Sequence, residues 1–116
     1  MSNKITGKRG EEIACGYLKK IGYTILERNV KFSRLCELDI IAKDKATTLI
    51  ANEVKTRTSD ICGSPLEAIT KTKFEHIKQG VQYYLTEHKV KDFRIDVVGI
   101  TLKPEIKIEH LKNVYL

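Results

Sequence analysis

Apolar positions along the chain follow two periods. Ile13, Ala14, Tyr17, Leu18 and Ile21 recur at the three- and four-residue spacing of one helical face, which predicts a first helix over 7–21, stopped by Gly22. Residues 23–28 then read as a strand. Two further strands are expected over 36–43 and 48–56, joined through Asp44-Lys45-Ala46-Thr47, a connection short enough for a hairpin. After a loop from Arg57 to Gly63, a second helix should begin with Ser64 as N-cap, Pro65 at the first helical position and Glu67 closing a capping box. It runs to about Thr86, with Leu66, Phe74, Ile77, Val81, Tyr84 and Leu85 turned inward. Arg94 to Ile100 is a strong strand, and Ile106 to Ile108 a weaker one beyond the break at Pro104. The order α-β-β-β-α-β-β predicts an α/β fold with a mixed central β-sheet flanked by α-helices.

Length and composition narrow this without changing it. A chain of 116 residues is one domain, 1–116, with room for a single core. The charged fraction of 31% and hydrophobic fraction of 41% are those of a globular chain rather than a disordered one. No apolar run approaches the ~18 residues of a membrane span, so no membrane partner is expected. Met1-Ser2-Asn3-Lys4 leads into charged sequence without the apolar core of a signal peptide. Cys15, Cys36 and Cys62 are odd in number and form no Cys-x-x-Cys pair, which speaks against a zinc site or a disulfide framework. A cytoplasmic location fits that cysteine usage. The net charge of +6 leans toward an anionic partner such as nucleic acid, although solubility alone also accounts for it.

The candidate chemistry lies in two charged alternations, Glu37-Leu38-Asp39 and Glu53-Val54-Lys55. Residues two apart in a strand share a face, so Glu37 and Asp39 should point one way while Leu38 and Ile40 point the other. The same rule groups Glu53 with Lys55. If the hairpin folds symmetrically about 45–47, Asp39 lies across from Glu53 with Cβ atoms roughly 5 Å apart. Opposed like charges need neutralising, and Mg²⁺ (or Mn²⁺ in its place) takes such carboxylates together with phosphate oxygens and water. Lys55 beside them suits stabilisation of a phosphate or orientation of an attacking water. An isolated Glu-x-Lys is ordinarily a solvated strand face. A second carboxylate at the matched position, among strands this apolar, is what a solvated face does not explain.

Helix 1 offers a third acid. Glu11 falls in line with Ala14, Leu18 and Ile21 at the edge of the buried stripe, whereas Glu12 falls on the exposed side. Gly7 and Gly10 would let this helix approach the sheet closely. Taken alone, Glu11 also reads as a first-turn acid favoured by the helix dipole. Lys73 sits within the apolar arc of helix 2, where snorkelling accounts for it and a phosphate contact is the sharper reading. Lys8, Arg9, Arg28, Lys31, Arg34, Arg57 and Lys73 are candidates to hold a nucleic-acid backbone, which positions without reading sequence. No base-reading helix stands out, so recognition of structure rather than sequence is expected. His76, His88 and His110 are scattered and read as surface or packing residues.

Taken in order, Gly7-x-x-Gly10-Glu11-x-x-Ala14, Gly22-Tyr23-x-Ile25-Leu26-x-Arg28-Asn29, Glu37-Leu-Asp39-Ile-Ile41-Ala42, Glu53-Val-Lys55-Thr-Arg57, Gly63-x-Pro65-x-Glu67-Ala68 and Arg94-x-Asp96-Val97-Val98 resemble the small bacterial YraN family. That family is grouped with Holliday-junction resolvases in the restriction-endonuclease-like superfamily. The resemblance spans nearly the whole chain and implies a PD-(D/E)xK nuclease core. On that pattern Asp39 matches the first metal-binding acid, Glu53 the second and Lys55 the lysine. Glu11 matches the acid that resolvases carry on the first helix. Cys36 stands where the family usually has glycine, and the motif's proline is absent; Cys36 reads as a small buried hydrophobe. A Mg²⁺-dependent endonuclease for branched or structured DNA is thus implied, with a non-catalytic nucleic-acid-binding module on the same scaffold as the alternative. A homodimer follows by analogy alone, because a junction needs two symmetric cuts.

Overall fold

The computed structural model describes residues 3–34, 36–46, 48–61, 63–90 and 92–115. Thr47 of the hairpin connection, Cys62, and Met1 and Ser2 lie outside the described residues. Helix α1 spans Asn3–Lys20, beginning four residues before the expected start at Gly7. It ends with Tyr23 N–H donating to Leu18 C=O (2.9 Å) and Gly22 N–H to Lys19 C=O (3.0 Å), the Schellman pattern expected of a glycine stop. Strands β1 (Thr24–Lys31), β2 (Glu37–Lys43) and β3 (Leu49–Ser59) follow. Asp44 turns the β2–β3 hairpin, its carboxylate accepting from the Ala46 and Thr48 amides at 2.9 Å each.

The second helix departs from its expected start. Ser64 does cap, accepting from Leu66 N–H, but the segment it opens is a separate 3-10 turn over Pro65–Ala68. Helix α2 begins afresh at Lys71 and runs to Glu87, with the Thr70 side chain accepting from Lys73 N–H. Leu66 therefore belongs to the turn, while Phe74, Ile77, Val81 and Tyr84 form the buried face of α2 as expected. Strand β4 (Phe93–Lys103) continues three residues beyond Ile100, and β5 (Lys107–Leu111) closes the sheet.

The five strands lie in sequence order, β1-β2-β3-β4-β5. All neighbours are antiparallel except β3 and β4, whose parallel pairing requires the crossover that α2 supplies. Helix α1 covers one face, through Ala14, Cys15 and Leu18 against Ile40, Ala42, Ile50, Val54, Val98 and Ile100. On the other face α2 packs Phe74, Ile77, Val81 and Tyr84 against Leu38, Ile41, Leu49, Ala51 and Ile95. Strands buried on both faces explain the near-continuous apolar runs in β2, β3 and β4. Each fully buried Leu, Ile or Val contributes on the order of 1.5–3 kcal/mol, so the two layers hold the central strands rigidly. Ile21, expected in the α1 stripe, is instead exposed beyond the end of that helix.

Asp96, on β4, is fully buried and saturated with partners. Its carboxylate accepts from Arg94 Nε (3.0 Å), the Asn113 amide (3.0 Å) and Tyr23 OH (3.2 Å), and contacts His110 Nε2 at 2.8 Å. His110 reaches on to Tyr17 OH through Nδ1 (2.9 Å), so this histidine ties α1, β4 and β5 together. Burial raises the Asp96 pKa, but the bonds from His110, Asn113 and Arg94 outweigh it and leave it lowered. Its part in the shared motif is therefore architectural.

Candidate active site

The β2–β3 register pairs Ile40 with Asn52, Ile41 with Ala51, Ala42 with Ile50 and Lys43 with Leu49. Extended by one step it sets Asp39 opposite Glu53, as the symmetric hairpin predicts, but the ladder stops at Ile40–Asn52. In place of that rung, Asp39 Oδ2 accepts the Val54 N–H at 2.8 Å. The clean alternation expected of β2 fails at the same point. Leu38 packs in the α2 layer and Ile40 in the α1 layer, so the strand changes face across Asp39. On the β1 side, Arg28 pairs with Ile40 and Val30 with Leu38, leaving Asn29 opposite Asp39 with a left-handed φ of 54°. Asn is among the few residues that tolerate this conformation. The β2–β3 ladder thus ends beside one aspartate, whose carboxylate takes the Val54 N–H where a rung would be, while the β1–β2 register runs unshifted past it.

Glu53 is 3% exposed on the inner strand β3. Its Oε1 lies 3.6 Å from Lys55 Nζ and 3.7 Å from Lys73 Nζ, the second ammonium arriving from the first turn of α2. Its Oε2 is buried and meets no donor group. The carboxyl of Asp39 lies within hydrogen-bonding reach of Glu53. Burial first, and the Glu53 charge second, push the Asp39 pKa from 3.8 to about 8, against the pull of the Val54 amide and Lys73. An unpartnered buried carboxylate oxygen beside a carboxyl that resists ionising is costly to bury without a counter-charge.

Glu11 is the third acid at this place. Burial raises its pKa, and the nearby Asp39 charge raises it further, while a hydrogen bond with Asn29 and the Arg28 charge lower it. Helix α1 reaches the sheet closely at Gly10, where a Cβ would sit 1.7 Å from Thr56 Oγ1. Gly7 has no such neighbour within 4 Å, so the expected close approach belongs to Gly10 alone. Asn29 was not legible as a site residue, and its left-handed backbone beside Arg28 is the local signal that marks it. Asn52 was also missed. It is buried where the ladder ends, its amide directed at the Ile40 and Ile50 carbonyls at 3.4 and 3.3 Å. An asparagine in the middle of an apolar strand was the available clue.

The basic residues divide. Lys8, Arg9, Lys31 and Arg34 are exposed, and Arg57 is half-buried on β3 with its Nε lacking a partner. Arg28 is engaged by Glu12 at 2.8 Å. Lys73 does not simply run along the helix surface; it turns inward onto Glu53. Cys36 is buried with Leu38 in the α2 layer, as its small-hydrophobe reading requires.

The carboxylate oxygens of Asp39 and Glu53 are hard donors, suited to Mg²⁺, which takes one or two carboxylates and completes its shell with water and phosphate. Among the described residues no group of three ligand-type side chains is gathered closely enough to hold a metal unaided. Glu11, Asp39 and Glu53, expected together as metal ligands, are therefore not gathered into one ligand set. No helix among the described residues is long and apolar enough to cross a membrane.

A mixed five-stranded sheet between two helices, with Asp39 and Glu53-x-Lys55 on adjacent strands, makes this a mixed α/β protein in the order the sequence predicts. The chain belongs to the uncharacterised protein family UPF0102, the YraN family, whose model matches residues 10–100. It is similar to the UPF0102 protein of Caldicellulosiruptor saccharolyticus, 42% identical over 120 residues, covering 99% of this chain and 100% of the relative. A UPF0102 protein of Clostridium botulinum is 43% identical over 119 residues (97% and 95% covered). One from Chlorobium chlorochromatii is 41% identical over 117 residues (94% and 89%). The matched span contains Glu11, Asp39, Glu53, Lys55 and Lys73.

Proposed function

We propose that this protein is a Mg²⁺-dependent endonuclease that hydrolyses phosphodiester bonds in branched or otherwise structured DNA. The observation that carries the reading is the buried, donorless Glu53 Oε2 beside the charge-suppressed carboxyl of Asp39. Asp39 and Glu53 would hold the cation, with Glu11 as the acid facing them from α1; Mn²⁺ suits the same oxygens. When bound, a divalent ion supplies acidification of water and neutralisation of phosphate charge. Within the chain, the Val54 amide fixes the Asp39 carboxylate, and Glu53 holds Lys55 at 3.6 Å, where its ammonium orients water or faces developing phosphate charge. Lys8, Arg9, Arg57, Lys31 and Arg34 supply phosphate contacts that do not read sequence.

The test is cleavage of flap, fork and four-way junction DNA with Mg²⁺ or Mn²⁺. Asp39→Asn and Glu53→Gln should each lower the rate by at least about 100-fold, the scale of losing one electrostatic group at a reacting centre. Cleavage by both variants at the parent rate refutes the assignment. A second reading, a nucleic-acid-binding module without catalysis, draws support from the two lysines that already neutralise Glu53. It requires salt-dependent binding to the same substrates with no metal-dependent cutting.

A further inference from the structure

Glu53 carries one negative charge and faces two ammonium groups, Lys55 at 3.6 Å and Lys73 at 3.7 Å on the same oxygen. One is enough to balance it. The two differ in how they are held. Lys55 stands on β3, two residues from Glu53, with its backbone registered against Gly99 of β4. Lys73 comes from another element, at the third position of α2, and its side chain is 36% exposed. The first turn of α2 holds Lys71 and Lys73 and no acid. Cations there oppose the helix dipole, at a cost of about 0.3–1 kcal/mol each when exposed, whereas an anion such as phosphate is favoured. An anion brought to a lysine in that place offsets this cost. In the ligand-free protein that anion is Glu53.

We propose that Lys73 is a resident counter-cation of Glu53, which gives way when a divalent ion binds there and turns its ammonium to a backbone phosphate of the nucleic acid. The inference rests on the metal-dependent reading above and adds to it an order of events: metal uptake arms a phosphate contact. Before the exchange, Glu53, Lys55 and Lys73 sum to +1. Afterwards the Lys73 charge is released from its carboxylate, and the first turn of α2 presents an unpaired cation to the backbone. The linkage is reciprocal, so nucleic acid held by Lys73 also tightens metal binding.

The experiment compares the parent with Lys73→Gln and Lys73→Arg, each shown to be folded by circular dichroism. Calorimetric titration with Mn²⁺ in the absence of DNA reads the first half. Lys73→Gln should bind Mn²⁺ about fivefold more tightly, the size of a half-exposed ion pair no longer competing, and Lys73→Arg should resemble the parent. Binding of a synthetic four-way DNA junction, measured in chelator and then in Ca²⁺, reads the second. The affinity gained on adding Ca²⁺ should fall several-fold in Lys73→Gln and be restored in Lys73→Arg. A purely structural lysine would leave that gain unchanged, and an unchanged gain or unaltered Mn²⁺ affinity in Lys73→Gln overturns the inference. Failure of the parent itself to bind Mn²⁺ overturns the nuclease reading and this inference together. Parent binding that Lys73→Gln does not alter overturns this inference alone.

Discussion

Asp39→Asn should make the metal-free protein more stable at alkaline pH, although it removes a proposed metal ligand. In the folded chain the Asp39 pKa is raised from 3.8 to about 8 by burial and by Glu53. Below pH ~4 the carboxyl is protonated in both folded and unfolded chains, and its contribution to stability is fully present. Between about pH 4 and 8 the unfolded chain has released the proton while the folded chain holds it, so stability falls as pH rises. Above about 8 the folded protein carries two facing carboxylates, Glu53 buried and Asp39 half-buried. Two unit charges 4 Å apart at an effective dielectric of ~20 repel by about 4 kcal/mol. Lys55 and Lys73, at 3.6 and 3.7 Å from Glu53, offset a large part of this. A net gain of about 1–2 kcal/mol on neutralising Asp39 is the reasonable remainder, since asparagine keeps an acceptor for the Val54 amide. For a domain of this size that corresponds to a rise in Tm of roughly 5 °C. The assay is thermal unfolding followed by circular dichroism in chelator at pH 8.5 and again at pH 4.5, where most of the gain should vanish. Adding Mn²⁺ at pH 8.5 should reverse the order, because only the parent gains binding energy. A variant no more stable than the parent at pH 8.5, or equally stabilised at both pH values, would refute the reasoning.

Asp96, which is fully buried, should behave oppositely. Asp96 has a lowered pKa, so its stabilisation is present above the unfolded value near 3.9 and is lost as pH falls through its folded value. Asp96→Asn should cost about 3–5 kcal/mol at neutral pH, the scale of breaking a buried charged network, read from urea midpoints; a loss below about 1 kcal/mol contradicts the network's role. Gly80→Ala would set a Cβ 2.4 Å from Cys36 Sγ and should destabilise by about 1–3 kcal/mol. Cys36→Gly, which removes the Sγ that the new Cβ would meet, should recover part of that loss in the double variant; additive effects would show that the two sites do not touch.

Much of this protein follows from its sequence because much of it is periodic. The stripe of Ala14 and Leu18 and the capping residue Ser64 obey local rules of spacing and hydrogen bonding, as do the Asp44 turn and the runs in β2 and β3. A reader of the chain can apply these rules directly. The hairpin's symmetry was enough to set Asp39 against Glu53, because register in a short hairpin is fixed by its turn. One local misreading arose where competing local signals stood side by side. Ser64-Pro65-Leu66-Glu67 capped a 3-10 turn rather than the helix, since Thr70 offers a second cap three residues before Lys73.

Tertiary structure decided what periodicity could not carry. The break in pairing at Asp39, the left-handed turn of Asn29 and the carboxylate bonded to the Val54 amide are departures from the strand rule. They depend on two neighbouring strands and a helix at once. Lys73 is separated from Glu53 by twenty positions and a crossover, so only the packing of α2 on the sheet could bring its ammonium to that oxygen. The sequence by itself determined the elements, the register and the identity of the acids, because those rest on interactions between near neighbours. How strongly Asp39 resists ionising and which lysines hold Glu53 were set by burial and long-range contact, which exist only in the folded chain.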